Sequence, residues 1–163
     1  MNATTSSLDP ALATLKTRPL FVMRLRVAPI VVVGAAPAGV RRVGAVTGGT
    51  FEGERLSGSV LDGGNDWQQV RADGVTTLDV RVLLRTTQGE LISMTYQGLR
   101  HGPRDVMARI DRGEDVDPGA YYFRTNPMFE TASASLGWLN GILAIGIGHR
   151  RADGPIYSVF EVL

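Results

Sequence analysis

Five of the chain's aromatic residues, Tyr121, Tyr122, Phe123, Phe129 and Trp138, fall within eighteen positions of one another, out of eleven in the 163-residue sequence. Arg124, Asn126, Glu130 and Asn140 are interleaved with them. Apolar bulk with a few directed polar groups is the make-up of a pocket wall. In a strand, alternation sends Tyr122 and Arg124 to one face and Tyr121, Phe123 and Thr125 to the other. The competing reading is a core strand whose Arg124 pairs with Glu130 at a rim. A second concentration is Gly63-Gly64-Asn65-Asp66-Trp67. A carboxylate in a partly apolar setting beside an indole has a raised pKa and can serve as general acid or base near neutrality. The alternative is a turn in which Asp66 accepts backbone hydrogen bonds. His101, read as a loop residue before a short helix, is a base at a barrel mouth, a lid residue or an ordinary surface histidine. Asp79 and Arg81, two apart, share a strand face, either as a lumen pair gripping a polar ligand or as a solvent-facing ion pair.

Composition narrows the chemistry these groups can perform. The chain has no cysteine, which excludes thiolate nucleophiles, disulfides and sulfur-ligated metals. Lys16 is the only lysine and lies in a polar, alanine-rich stretch, unsuited to Schiff-base chemistry. His101 and His149 are far apart in sequence, so no metal site is expected, and no cofactor is implied. A net charge of +1 argues against nucleic acid as a partner. Gly44 to Gly49 lacks the following helix with Lys-Ser/Thr that a phosphate cradle needs. The longest apolar run, Ile30 to Ala36, is far short of the roughly 20 residues of a membrane span. The first fifteen residues show no basic n-region or hydrophobic block, so the expectation is a cytoplasmic protein without membrane contact.

The elements that would position these groups are short and strand-like. Met1 to Ser7 reads as a mobile terminus, and Asp9-Pro10 opens a short helix, so residues 1–19 form an N-terminal extension. From Leu20 a single domain, 20–163, begins with Phe21, Met23, Leu25 and Val27 alternating against Arg24 and Arg26. Strand-like runs recur at Arg42–Val46, Arg55–Leu61, Asp66–Arg71, Val75–Thr86, Glu90–Gln97, Tyr121–Thr125, Met128–Ala132, Trp138–Gly148 and Ile156–Val162, with glycine-containing turns between them. Pro103 to Asp111 is the one helical interruption, with Val106, Met107 and Ile110 on one side. Such spacing predicts an all-β fold, a closed or nearly closed antiparallel barrel with one or two short helices, with a sandwich as the alternative. The long alternating run Val75–Thr86 and the small residues Gly141, Ala144, Gly146 and Gly148 favour the barrel.

Taken together in this order, Gly63-Gly-Asn-Asp-Trp67, Asp73-Gly74, Tyr121-Tyr-Phe-Arg-Thr125, Phe129-Glu-Thr131 and Trp138-Leu-Asn140 resemble the bacterial and fungal domain-of-unknown-function family 3237, also grouped as the uncharacterised protein family UPF 0311. The resemblance runs from about Leu20 to the C-terminus. The family often has a basic residue where this chain has Met128 and an aromatic where it has Leu136. The resemblance implies a lipocalin-like or allene-oxide-cyclase-like β-barrel that self-associates as a homo-oligomer; it implies no established reaction. Its matched polar positions are Asp66, Arg124, Glu130 and Asn140, and its matched aromatics are Trp67, Tyr122 and Trp138.

Two functional expectations follow. In the first, a small apolar or aromatic carbonyl compound is isomerised, cyclised, dehydrated or opened as a lactone without a cofactor. Asp66 or Glu130 moves the proton, Arg124 holds a carboxylate or developing oxyanion, and Trp67, Tyr122, Asn140, Trp138, Asp79, Arg81 and His101 shape the ligand site. In the second, the same barrel binds or carries a small apolar ligand without turnover, and a structural role in oligomerisation is a further alternative. The shared premise is a hollow barrel with the ionisable groups facing inward.

Overall fold

The computed structural model describes residues 9–163, so the expectation for Met1 to Ser7 lies outside the described residues. Eleven strands alternate with few other elements: β1 (Thr17–Val27), β2 (Val31–Ala36), β3 (Gly39–Glu52), β4 (Ser57–Val60), β5 (Gly64–Val70), β6 (Thr76–Thr86), β7 (Leu91–His101), β8 (Tyr122–Thr125), β9 (Met128–Glu130), β10 (Ala144–Arg151) and β11 (Gly154–Val162). One helix, α1 (Arg104–Asp111), follows β7, and short 3-10 turns occur at Pro10–Leu12, Pro118–Ala120 and Gly137–Gly141.

Eight strands close on themselves in the order β6-β5-β3-β1-β11-β10-β8-β7, and the antiparallel pairing of β7 with β6 completes the circuit. The expected barrel is therefore the fold. Closure leaves no open edge in the main wall. β6 shows why the sequence permits it: Thr76, Leu78, Val80, Val82, Leu84 and Thr86 are buried while Asp79, Arg81, Leu83 and Arg85 face outward. At one end of the barrel, short strands replace long ones. β4 pairs with both β3 and β6 beyond the end of β5, and β9 pairs with β7 beyond the end of β8.

The interior is filled by side chains. Phe21 packs edge-on against Phe51 and Phe129 near the β4–β9 end, and Tyr157 meets Tyr96 and Phe123 at 5.4 Å between ring centroids nearer the other. α1 leaves the end of β7, sets Ile110 into the core with Val106 and Met107 against it, and pairs Asp111 with Arg42 of β3 at 3.3 Å. It thus covers the barrel end opposite the phenylalanines.

Several sequence boundaries shift. Trp138–Gly148 is not one strand: Gly137–Gly141 forms a 3-10 turn and β10 starts only at Ala144. The expected close packing holds for part of it, since a Cβ at Gly146 would lie 2.2 Å from Thr125 Oγ1 and one at Gly148 only 2.5 Å from the Phe123 ring. Gly141 has open space instead. β7 continues through Gly98 to His101, so His101 ends a strand rather than sitting in a loop. β2 was not expected, because its apolar Val31, Val32 and Val33 stay exposed and give no burial alternation. Among the described residues no helix is long and apolar enough to cross a membrane.

Gly148→Ala is expected to destabilise the fold by about 1–3 kcal/mol, because the Phe123 ring is held in the core and cannot retreat without strain. Urea denaturation of the two proteins measures it.

Candidate functional site

Strand alternation divides the chemistry-bearing residues between two separate surroundings. In β5, Asp66 points into the barrel and Trp67 points out, so the carboxylate is 9% exposed and the indole 51% exposed. The turn belongs to Gly63, whose φ is +103°, and Asp66 already lies within the strand, which answers the turn alternative. The apolar surroundings of Asp66 come from the lumen and not from its neighbour's indole. A side chain at Gly44, its partner on β3, would strike Val27 and Ile30, which close in on the same place.

On the outside, the wall carries a concavity of about 630 Å³ whose floor is the β6–β7 pair around Thr77, Asp79, Gln97 and Leu99. Arg41 and Trp67 line it on the β3–β5 side, and Tyr122, Arg124 and Ile145 on the β8–β10 side. β5 and β8 are three strand spacings apart in the wall, and Trp67 is level with Gln97 while Tyr122 is level with His101, so the two rings stand at diagonally opposite corners of the floor. Tyr122 is held from two directions: the His101 ring stacks on it at 4.9 Å with an interplanar angle of 20°, and the Arg124 guanidinium sits 5.0 Å from its centroid. Arg124 Nη1 also donates to the Phe123 carbonyl at 2.9 Å. Five residues singled out in the sequence, Trp67, Asp79, Tyr122, Arg124 and Asn126, therefore line one concavity, with His101 behind Tyr122. Asp79 and Arg81 share the outer face and line an adjoining hollow beside Asn65. They are not a lumen pair, and no ion pair within 4 Å joins them.

Asp66, Arg124 and Glu130 are not brought together. Glu130 is exposed on β9, opposite Ser93, and makes no ion pair with Arg124. Asn140 is fully used by the backbone: its Oδ1 accepts from Thr131 N at 2.8 Å and its Nδ2 donates to Thr131 O at 3.0 Å. Trp138 lies under the Arg55 guanidinium, 4.2 Å from the ring centroid, where Arg55 and Arg18 both bond the Glu161 carboxylate. Those contacts are structural ties at the phenylalanine end.

Inside the barrel, the surroundings of Asp66 contain residues that the sequence reading passed over. Gln68 Nε2 donates to Asp66 Oδ2 at 2.6 Å. Arg42, Arg100 and Arg150 project toward it from β3, β7 and β10, and the Tyr96 and Tyr157 rings lie alongside. Burial pushes the Asp66 carboxyl up to about 6, against the opposing effects of the Gln68 hydrogen bond and the three arginine charges. Burial likewise raises the Tyr96 and Tyr157 phenols, and it lowers Arg100, which is 2% exposed, with the neighbouring Arg42 and Arg150 charges adding to the effect. Among the described residues four buried side-chain atoms have no hydrogen-bond partner within normal geometry, Arg42 Nε, Asp66 Oδ1, Tyr96 OH and Arg100 Nε, and all four belong to this one cluster. The missed signal was an arginine in step with Ile92, Met94 and Tyr96 on the apolar face of β7. Among the described residues no group of three or more His, Cys, Asp or Glu could hold a metal ion.

The sequence profile of the family described as "Protein of unknown function (DUF3237)" matches residues 15–162. The UPF0311 protein RPA1785 of Rhodopseudomonas palustris is 35% identical over 150 residues, covering 92% of this chain and 98% of that protein. Its crystal structure, described as a conserved protein of unknown function, superimposes with a TM-score of 0.90 over 92% of this chain and 99% of that one. A beta-barrel like protein from Acinetobacter baumannii, 36% identical, gives a TM-score of 0.82 over 96% of this chain and 100% of that chain. An enzyme from Penicillium herquei, 21% identical, shares the fold at a TM-score of 0.70 over 91% of this chain and 95% of its own. Its profile match, these bacterial relatives and the closed barrel agree: the chain belongs to the DUF3237 family, grouped also as UPF0311.

Proposed function

We propose that the protein binds a small, mostly apolar or aromatic molecule bearing a carbonyl or carboxylate oxygen, in the outer groove over β5 to β8. The observation that carries this reading is the clamped Tyr122, held between His101 and Arg124 and facing Trp67 across a ligand-sized concavity. A flat aromatic ligand gains apolar contact from Trp67, Tyr122, Leu99 and Ile145, while Arg124 and Arg41 meet its oxygen atoms. No cofactor enters this reading. Replacing Arg124 by Gln removes the cation and keeps a polar side chain of similar reach. Screening aromatic carboxylates and ketones by Trp67 fluorescence in a Trp138→Phe background should find ligands that quench it. Arg124→Gln should weaken them by tenfold or more. Ligands that bind the two proteins equally, or that leave the indole signal unchanged, would refute the groove.

A second reading, cofactor-free acid/base catalysis on a small carbonyl compound, is favoured by one specific feature, the enclosure of the Asp66 carboxyl in the barrel wall, where burial pushes it up to about 6. In that reading the Arg42 and Arg150 side chains swing aside to admit the substrate, Asp66 takes a proton from the carbon next to the carbonyl, Arg100 holds the enolate oxygen, and Asp66 returns the proton to another atom of the same molecule. An isomerisation or cyclisation is balanced in this way without any co-reactant. The neighbour from Penicillium herquei described as an enzyme shares the fold and lends the reading that much support.

The raised pKa has a sign that can be tested. Between pH 3.8, where an ordinary aspartate titrates, and about 6, the folded protein keeps a proton that the unfolded chain has lost. Asp66 therefore stabilises the fold relatively at low pH and progressively less as pH rises through 6. At 1.36 kcal/mol per pH unit the decline amounts to about 3 kcal/mol. Relative to Asp66→Asn, the native protein should lose about that much stability between pH 4 and pH 7 in chemical denaturation. A constant difference across the range would mean that Asp66 is ionised throughout.

A further inference from the structure

Beside the groove, and sharing Trp67 and Asp79 with it, lies a second hollow of about 520 Å³ walled by Gly63, Asn65, Trp67, Asp79 and Arg81. Its four side chains come from the outer face of two paired strands. Asn65 of β5 stands opposite Arg81 of β6, and two residues along the strands Trp67 lies beside Asp79. Spacings of about 5 Å across the pair and about 7 Å along it make a patch the size of one six-membered sugar ring. Apart from the indole, every side chain there is polar, so a hydrocarbon extension of the groove's ligand gains nothing by entering it. A charged extension gains little, because the Asp79 carboxylate and the Arg81 guanidinium share the face and offset each other. Neither forms an ion pair within 4 Å with any described residue. An ionised carboxylate only accepts hydrogen bonds and a guanidinium only donates them, and a hydroxyl is the neutral group that serves both. Asn65 Nδ2 donates to the Gly63 carbonyl at 3.4 Å, which leaves its oxygen to accept from a further hydroxyl.

We propose that the ligand of the outer groove is an aromatic glycoside and that this hollow holds its sugar. The inference rests on the groove reading above and gives its ligand a class. The C–H face of a pyranose packs on the Trp67 indole, adjacent hydroxyls bridge Asp79 and Arg81, and a third donates to Asn65. The aromatic aglycone lies over the groove floor with its carboxylate or carbonyl toward Arg124. Its glycosidic oxygen crosses at Trp67 and Asp79, where the two depressions meet.

Calorimetric titration of the full chain with 4-hydroxybenzoate, and with its β-glucoside and β-galactoside, tests this. At least one glycoside should bind about tenfold more tightly than the free acid, the gain that hydrogen bonds to charged groups supply. Arg81→Met keeps the length of the side chain and removes its donors, and Asn65→Ala removes the carboxamide. Both residues line the hollow and not the groove. Each substitution should bring the glycoside toward the affinity of the free acid and leave the free acid unchanged, whereas Arg124→Gln should weaken acid and glycosides alike. The inference is overturned if neither glycoside binds more tightly than the acid, or if folded Arg81→Met and Asn65→Ala proteins keep the full gain; the groove reading survives both results. Glycosides that ignore Arg124→Gln, or a failure of acid and glycosides alike to bind, would sink the groove reading itself and this inference with it.

Discussion

Pairing of β6 with β7, from Thr76 opposite Arg100 to Arg85 opposite Leu91, is the constraint on which the rest of the molecule depends. It closes the sheet, and closure gives every strand an inside and an outside with no intermediate choice. Asp66 and Trp67 are adjacent in sequence and yet belong to different environments because of it. The same rule places Tyr96 and Arg100 in the lumen and Gln97 and Leu99 on the groove floor. Two surfaces of one short stretch of wall thus carry two kinds of chemistry, an aromatic groove outside and an ionisable cluster inside.

The inner cluster runs against the usual economy of a core. Apolar side chains fill most of the barrel, yet one end encloses a carboxyl and three guanidinium groups, two of whose atoms, with the Tyr96 hydroxyl and one Asp66 oxygen, have no hydrogen-bond partner within normal geometry among the described residues. Burial governs the protonation behaviour of Asp66 more strongly than the nearby positive charges do. Such an arrangement contributes little to stability, and groups of this kind gather where binding or proton transfer occurs. The opposite end shows the contrast: the Glu161 carboxylate is bonded by both Arg18 and Arg55, and Arg55 rests on Trp138, so the polar groups there are consumed in holding strands together.

The barrel was legible because β1, β6 and the Tyr121–Thr125 segment alternate cleanly, and because glycine turns separate short runs. Alternation within β8 correctly divided Tyr122 and Arg124 from Tyr121, Phe123 and Thr125. Trp138–Gly148 was misread since a tight 3-10 turn and a curved strand share small residues, and β2 escaped because an exposed hairpin has no buried face to register. Asp66 was found for a reason the fold replaces: its neighbour's indole points away, and the enclosing wall supplies the low-polarity setting. Glu130 and Asn140 were drawn in by proximity along the chain, whereas contact across a barrel is set by strand order. Arg100 was overlooked because the sequence reading ends this strand at Gln97, before Gly98, whereas β7 runs on to His101 and keeps Arg100 on its buried face.

The substitution of β4 for β5 and of β9 for β8 at the phenylalanine end has a dynamic corollary. Those two strands are four and three residues long, so that end of the wall is secured by few ladder hydrogen bonds, while β6 and β7 run the full height. Local opening draws on the least protected backbone first. Deuterium therefore enters β4 and β9 ahead of β6 and β7, and at this end of the barrel thermal breathing starts from the apolar floor.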